Sequence, residues 1–214
     1  MTSPVDRTAP PAAEILFDGH DLRAFTSLDG TPARWKVHDG AFEVVSGAGD
    51  LLSRVHADDA LIHLEFRCPH LPHARGQARA NSGVYIQGRY EIQILDSHGI
   101  AIPGTGDCGA VYDQIAPLTN ATLPPLTWQS YDIVFRAARP HPGDLFEPAR
   151  LTLLHNGVVI HNNAVLRTPT AGALDPHVFT PGPLRLQDHG DPVQFRNIWL
   201  LRLPPSGSDR YEPG

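Results

Sequence analysis

The chain has 214 residues, with 17 Lys and Arg against 23 Asp and Glu for a formal net charge of −6, and 41% of its residues are hydrophobic. That length suits one domain with tails, and the acidic balance gives no electrostatic reason to expect nucleic acid or an anionic membrane as partner. The 21 Pro and 19 Gly argue against long helices, and no apolar run approaches the ~20 residues of a membrane span.

Met1 to Ala13 is rich in Pro, Ala and Thr and reads as a disordered tail. It lacks the basic and apolar regions of a secretory signal, so the chain as written reads as cytoplasmic. Residues 14–203 read as a single domain and 204–214 as a polar C-terminal tail. Glu14-Ile15-Leu16-Phe17 is a short apolar strand. Trp35 to His38 and Ala41 to Val44 flank Asp39-Gly40, and a two-residue loop there pairs Val37 with Phe42, so pattern and turn agree. Leu51 to Val55 is a further strand. Ile62, Leu64, Phe66 and Cys68 alternate with His63, Glu65 and Arg67. The two cysteines, Cys68 and Cys108, are too few for a disulfide framework; one bridge between them stays open.

The chain is organised around Asn81 to Ser97, NSGVYIQGRYEIQILDS. Val84 to Gln87 and Glu91 to Ile94 alternate strictly, so parity fixes the pairing: a three-residue connection, Gly88-Arg89-Tyr90, sets Gln87 opposite Glu91 and Ile86 opposite Ile92. The expected hairpin has one apolar face and one carrying Tyr85, Gln87, Glu91 and Gln93. Residues 96–127 form a long irregular stretch containing the short strand Gly109 to Tyr112; loops of that length tend to be functional. Gln129 to Arg136 is a strand. Arg150 to His155 and Val158 to His161 flank Asn156-Gly157, a second type I′ signal. Leu184 to His189 alternates again, with Arg185, Gln187 and His189 opposite leucines, and Val193 to Leu203 is a buried last strand. About a dozen short strands without sustained helical periodicity indicate an all-β antiparallel sandwich.

Three strands thus set large polar residues opposite a clean apolar face: His63/Glu65/Arg67, Tyr85/Gln87 with Glu91/Gln93, and Arg185/Gln187/His189. If they neighbour one another in one sheet, these groups converge on one surface where amides and guanidines meet sugar hydroxyls and Tyr85, Tyr112 or Trp128 covers a ring face. The plain alternative is surface ion pairs, Glu65–Arg67 or Glu91–Arg185. Ser82 has no evident base, and the motifs G-x-S-x-G, H-E-x-x-H, the P-loop and the dinucleotide fingerprint are absent. Asp96, Asp107 and Asp113 are oxygen donors that suit a divalent cation such as calcium or, more commonly, cap turns.

Taken together, LFDGHDL (16–22), WKVHDGAFEV (35–44), LEFR (64–67), the central hairpin, DCGAVY (107–112) and LRLQDHGDPVQFRNIWL (184–200) resemble the 3-keto-disaccharide hydrolase family from Ile15 to Leu203. The resemblance implies a concanavalin-like two-sheet jelly roll whose concave face binds carbohydrate, and cleavage of glycosides already oxidised to a ketone at C3. It also makes the periplasm an alternative location, since many relatives carry an export signal. A conventional glycosidase needs two carboxylates flanking the bond, whereas Gln93 stands where the second is expected after Glu91. A ketone acidifies the C2 hydrogen, so one base suffices. Glu91 is the expected base and His189 or Glu65 the proton donor. Arg67, Asn81, Tyr85, Gln87, Gln93, Asp96, Tyr112, Arg185 and Gln187 are the expected substrate-binding set. A non-catalytic lectin-like module, a structural domain and a two-carboxylate glycosidase remain alternatives.

Overall fold

A computed structural model describes residues 4–141 and 145–205. Fifteen strands follow in order: β1 (Glu14–Phe17), β2 (Phe25–Ser27), β3 (Lys36–His38), β4 (Ala41–Glu43), β5 (Leu51–Ala57), β6 (Ala60–Arg67), β7 (Ser82–Ile86), β8 (Tyr90–Ile94), β9 (Gln129–Arg136), β10 (Arg139–His141), β11 (Leu145–Glu147), β12 (Ala149–His155), β13 (Val158–Leu166), β14 (Gly182–Leu186) and β15 (Gln194–Arg202). Among the described residues the one helical element is a 3₁₀ turn at Gly76–Ala78.

All pairings are antiparallel. An eight-stranded sheet runs β13-β12-β9-β6-β15-β4-β3, with β1 also on β15, and a five-stranded sheet runs β2-β5-β14-β7-β8. The architecture is the antiparallel jelly-roll sandwich expected. Each sheet turns one parity inward: Ile62, Leu64 and Phe66 from β6 meet Val84, Ile86, Ile92, Ile94, Leu184 and Leu186 in one buried core. Burial at this scale, roughly 1.5–3 kcal/mol per large side chain, is what fixes each strand's register. Tyr131 crosses that core, its hydroxyl donating to the Gln93 carbonyl at 2.7 Å, so the phenol is satisfied and the two sheets are tied together. Cys68 and Cys108 are both buried and both free.

The turn chemistry holds at both strong signals. Asp39 and Gly40 have φ of 51° and 73°, Asn156 and Gly157 of 51° and 78°, and the pairs His38↔Ala41 and His155↔Val158 close on two-residue loops. The central hairpin keeps its parity but not its loop. Ile86 pairs with Tyr90 and Tyr85 with Glu91, so the connection is Gln87-Gly88-Arg89 rather than Gly88-Arg89-Tyr90. Gln87 and Gly88 adopt positive φ (54° and 67°), and the Arg89 amide closes the turn on the Ile86 carbonyl at 3.0 Å. Alternation fixes only whether the loop is odd; a slip of two residues preserves both faces and is decided by the turn itself.

Within the N-terminal segment, Asp6 and Arg7 are bonded to the sandwich. Across the outer face of the eight-stranded sheet, the Asp6 amide donates to Glu65, Arg7 pairs with Asp132 at 2.6 Å, and Asn197 donates to the Arg7 carbonyl at 3.0 Å.

Candidate active site

Strands β14, β7 and β8 lie side by side, and Tyr85 is opposite both Arg185 and Glu91. With Val84, Ile86, Ile92 and Ile94 committed to the core, the other parity (Gly83, Tyr85, Glu91, Gln93 and Arg185) faces outward. Gly109 to Tyr112 runs along the free edge of β8, the Tyr112 amide donating to the Glu91 carbonyl at 3.1 Å. The loop from Thr168 to Pro181 crosses the face, from Thr170 at the Glu91 amide to Gly172 at Arg185. Together they enclose a pocket of about 230 Å³ lined by Asn81, Tyr85, Glu91, Gln93, Tyr112, Ala171, Gly172, Gln187 and His189.

Glu91 is the one carboxylate of this lining and is only 3% exposed. Burial disfavours its charged form and pushes its pKa up to about 7; the Tyr85 hydrogen bond and Arg185 pull it down, and Asp50 pushes it up. The Tyr85 hydroxyl donates to Glu91 Oε2 at 2.8 Å and in turn accepts from Gln187 Nε2 at 3.3 Å. Burial and the adjacent carboxylate push the phenol's own pKa up, so it stays a donor. Gly83 makes room for the acid: a Cβ there would stand 2.4 Å from Glu91 Oε1. The backbone is fixed as well, since the Glu91 amide donates to Thr170 Oγ1 at 2.9 Å and Thr170 bonds back to the Arg89 carbonyl.

The amides of the pocket are oriented by a residue of the preceding loop. Gln77 accepts from Asn81 Nδ2 at 3.1 Å and from Gln93 Nε2 at 2.9 Å, while its own amide nitrogen donates to the Gly106 carbonyl at 2.8 Å. Both Asn81 N–H donors and one of Gln93 are thereby engaged within the protein. Asn81 Oδ1, Gln93 Oε1 and Gln187 Oε1 are left buried without a partner. Three orphaned acceptors around one pocket are costly unless something donates to them, and hydroxyl groups are the natural donors.

Comparison with known proteins agrees with this chemistry. The family described as the 3-keto-alpha-glucoside-1,2-lyase-like domain matches residues 12–201. The chain belongs to this carbohydrate-active family. A candidate glycosyl hydrolase from Parabacteroides distasonis is 37% identical, covering 92% of this chain and 86% of its own, with a TM-score of 0.83. A second from the same organism is 19% identical over 90% and 95% of the two chains, with a TM-score of 0.64. The alginate lyase Aly36B, 9% identical with a TM-score of 0.52 over 93% of this chain and all of its own, shares the fold alone. No curated protein matches the chain.

Within this lyase-like domain, seven of the expected site residues line the pocket: Asn81, Tyr85, Glu91, Gln93, Tyr112, Gln187 and His189. Five do not. Glu65 and Arg67 sit on β6, a strand of the other sheet, so the core separates them from Glu91. Glu65 is fully buried under the N-terminal segment with His63, Arg196 and Asn197. Burial opposes its ionisation, yet those hydrogen bonds hold its pKa down at about 2. Arg67 binds Gln194 and lies over Trp128. Gln87 belongs to the turn and donates to the Ala57 carbonyl at 3.0 Å. Asp96 pairs with Arg79 at 2.8 Å outside the pocket.

Arg185 stands behind the wall, its Cζ 4.3 Å over the Tyr85 ring and its guanidinium on Asp50. Asp107 is occupied by Ser97 and the Gly104 amide. Among the described residues, no group of three or more His, Cys, Asp or Glu side chains gathers to suit a metal ion. Sequence reasoning missed Gln77, Asp50, Thr170, Ala171 and Gly172. All lie outside the alternating strands, where no periodicity marks them.

Proposed function

We propose that the chain cleaves 3-keto-glycosides by elimination, with Glu91 as the base. The observation that carries this reading is a single buried carboxylate, poised near neutral pH and facing a ring-sized pocket rimmed by unpartnered hydroxyl acceptors. A two-carboxylate glycosidase has no second acid here, since Glu65 lies beyond the core. Glu91 takes the proton from C2; the C1–O bond breaks as a C1=C2 double bond forms in conjugation with the C3 ketone. The departing oxygen takes a proton from His189 at the pocket mouth. Water then adds at C1, returning one proton to His189, while C2 takes a proton from Glu91 after that carboxyl has exchanged with solvent. A base near pKa 7 is suited to this transfer, a contribution of about 10²–10⁴-fold. Tyr85 steadies the carboxylate throughout, and the Asn81, Gln93 and Gln187 oxygens hold ring hydroxyls.

The test is paired substrates. A disaccharide or aryl glucoside is to be cleaved once its C3 hydroxyl is a ketone and left intact otherwise. In D₂O the released keto sugar should carry deuterium at C2. Glu91→Gln should retain ligand binding and lose at least ~10²-fold in turnover. Equal cleavage of the unoxidised glycoside, or product without C2 deuterium, would defeat the proposal; binding without turnover of either compound would identify a lectin-like module.

A further inference from the structure

Arg185 looks like a substrate-binding cation from its place in the sequence, but its guanidinium is bonded within the protein through all three nitrogens. Nε and Nη2 both engage Asp50 Oδ2, and Nη1 donates to the Gly172 carbonyl. The guanidinium carbon lies 4.3 Å over the centre of the Tyr85 ring, whose hydroxyl holds Glu91. Asp50 is anchored in turn, accepting from the Asp188 amide at 2.8 Å, and Asp188 accepts from the Gly49 amide at 2.9 Å. Arg185 and Asp50 are only 9% and 6% exposed. A buried ion pair of this kind stabilises a fold little compared with packed apolar residues, so its presence directly behind the carboxylate calls for another explanation.

We propose that Arg185 and Asp50 are positioning residues: together they set the electrical field at the Glu91 carboxylate and hold the Tyr85 ring and the Ala171–Gly172 wall against it. This rests on Glu91 being the base of the proposed reaction. The two charges act on Glu91 in opposite senses, the guanidinium favouring its ionised form and the Asp50 carboxylate opposing it. The other titratable groups facing Glu91 are Tyr85 on β7 and Tyr112 and His189 from the loops; the lining contains no Lys or Arg. Arg185 and Asp50 are thus fixed charges close to the base that are not part of the pocket lining. The mechanical half follows from contact. A Cβ on Gly172 would come within 3.0 Å of the Tyr85 hydroxyl, so the loop packs tightly on the phenol, and Arg185 fixes it there through the Gly172 carbonyl beside the Tyr85–Ala171 hydrogen bond.

The proposal predicts opposite effects from the two halves of one ion pair, which a merely structural role does not produce. The Glu91 side-chain carboxyl is to be titrated by ¹³C NMR, assigned by its loss in Glu91→Gln, alongside the pH profile of kcat/KM on a 3-keto-glucoside. Asp50→Asn should move the Glu91 midpoint and the acid limb of the profile down by about half to one pH unit; Arg185→Met should move both up by a similar amount. Arg185→Lys keeps the charge but loses the planar fork, so the midpoint should stay within about 0.3 units while KM rises about fivefold or more.

Should Arg185→Met alone fail to fold, Asp50→Asn/Arg185→Met removes both charges and should return the midpoint close to that of the parent chain. Shifts of the same sign from Asp50→Asn and Arg185→Met, or a Glu91 midpoint that ignores Asp50→Asn, overturn the proposal. The reading of Glu91 as base fails separately. If Glu91→Gln keeps its turnover while the midpoints move as stated, the pair tunes a carboxylate that is not the base.

Discussion

Glu91→Gln should make the protein more stable, and only above a definite pH. Its carboxyl titrates at about 7 against an ordinary 4.5, because burial disfavours the charge. A shift of that size corresponds to about 3 kcal/mol between the two protonation states. The sign follows from linkage. For an acid whose folded pKa is raised, folding favours the bound proton, so the full stability is present below pH 4.5. It declines as pH rises, and the loss is complete above about 7. Glutamine keeps the size and the acceptor for Tyr85 but never carries the charge. Thermal unfolding of the two proteins should therefore coincide near pH 4 and separate progressively to pH 8. At roughly 2–4 °C per kcal/mol for a chain of this size, the variant should gain about 6–12 °C there. Scanning calorimetry at five or six pH values reads this without any substrate. A difference in Tm that is constant with pH, or one favouring the parent chain at pH 8, would refute the argument that burial strains this carboxylate.

Gly83→Ala should leave the fold intact and cost about 10²-fold in turnover, since its Cβ would meet Glu91 Oε1 at 2.4 Å and force the carboxylate aside; kinetics beside a circular dichroism melt check it. Gly157→Val should do the reverse, because a β-branched residue at φ 78° costs about 1–2 kcal/mol while nothing near the pocket changes. A stable but inactive variant would tie that hairpin to the site. His63 is buried between Asp132 at 2.9 Å and Glu65 at 3.5 Å and stacked on Trp199. Burial lowers its pKa, but the hydrogen bonds to the two carboxylates outweigh this and raise it above 6.5. Its stabilising contribution is thus full below pH 6.5 and lost as pH rises through the raised value. Protonated imidazole quenches a stacked indole, so Trp199 fluorescence should rise over that window, and Asp132→Asn should move the midpoint down. A midpoint at or below 6.5 in the parent chain would contradict this account.

The sequence carried the strands and the faces well, because alternation is enforced by the core. Val84, Ile86, Ile92 and Ile94 all point inward, and both Asp-Gly and Asn-Gly turns close as their backbone requires. It could not say which sheet a strand joins. Glu65 has the same alternating setting as Glu91, yet β6 pairs with β9 and β15 while β8 pairs with β7. That partnership is a long-range choice no local pattern records. The support of the site was equally hidden. Gln77 sits in a loop and Asp50 just before a strand, where no alternation marks either residue. Their roles exist only after Asn81, Gln93 and Arg185 have been brought to them.

The bonding of Asp6 and Arg7 has a practical bearing on how the protein is handled. Asp6 and Arg7 are bonded to Glu65 and Asp132 on the outer face of one sheet, and the pocket opens on the outer face of the other. Immobilised on a bead or electrode by its first residues, the molecule would stand with its binding site turned toward the bulk liquid. A tether at the Thr168–Pro181 loop would block that site.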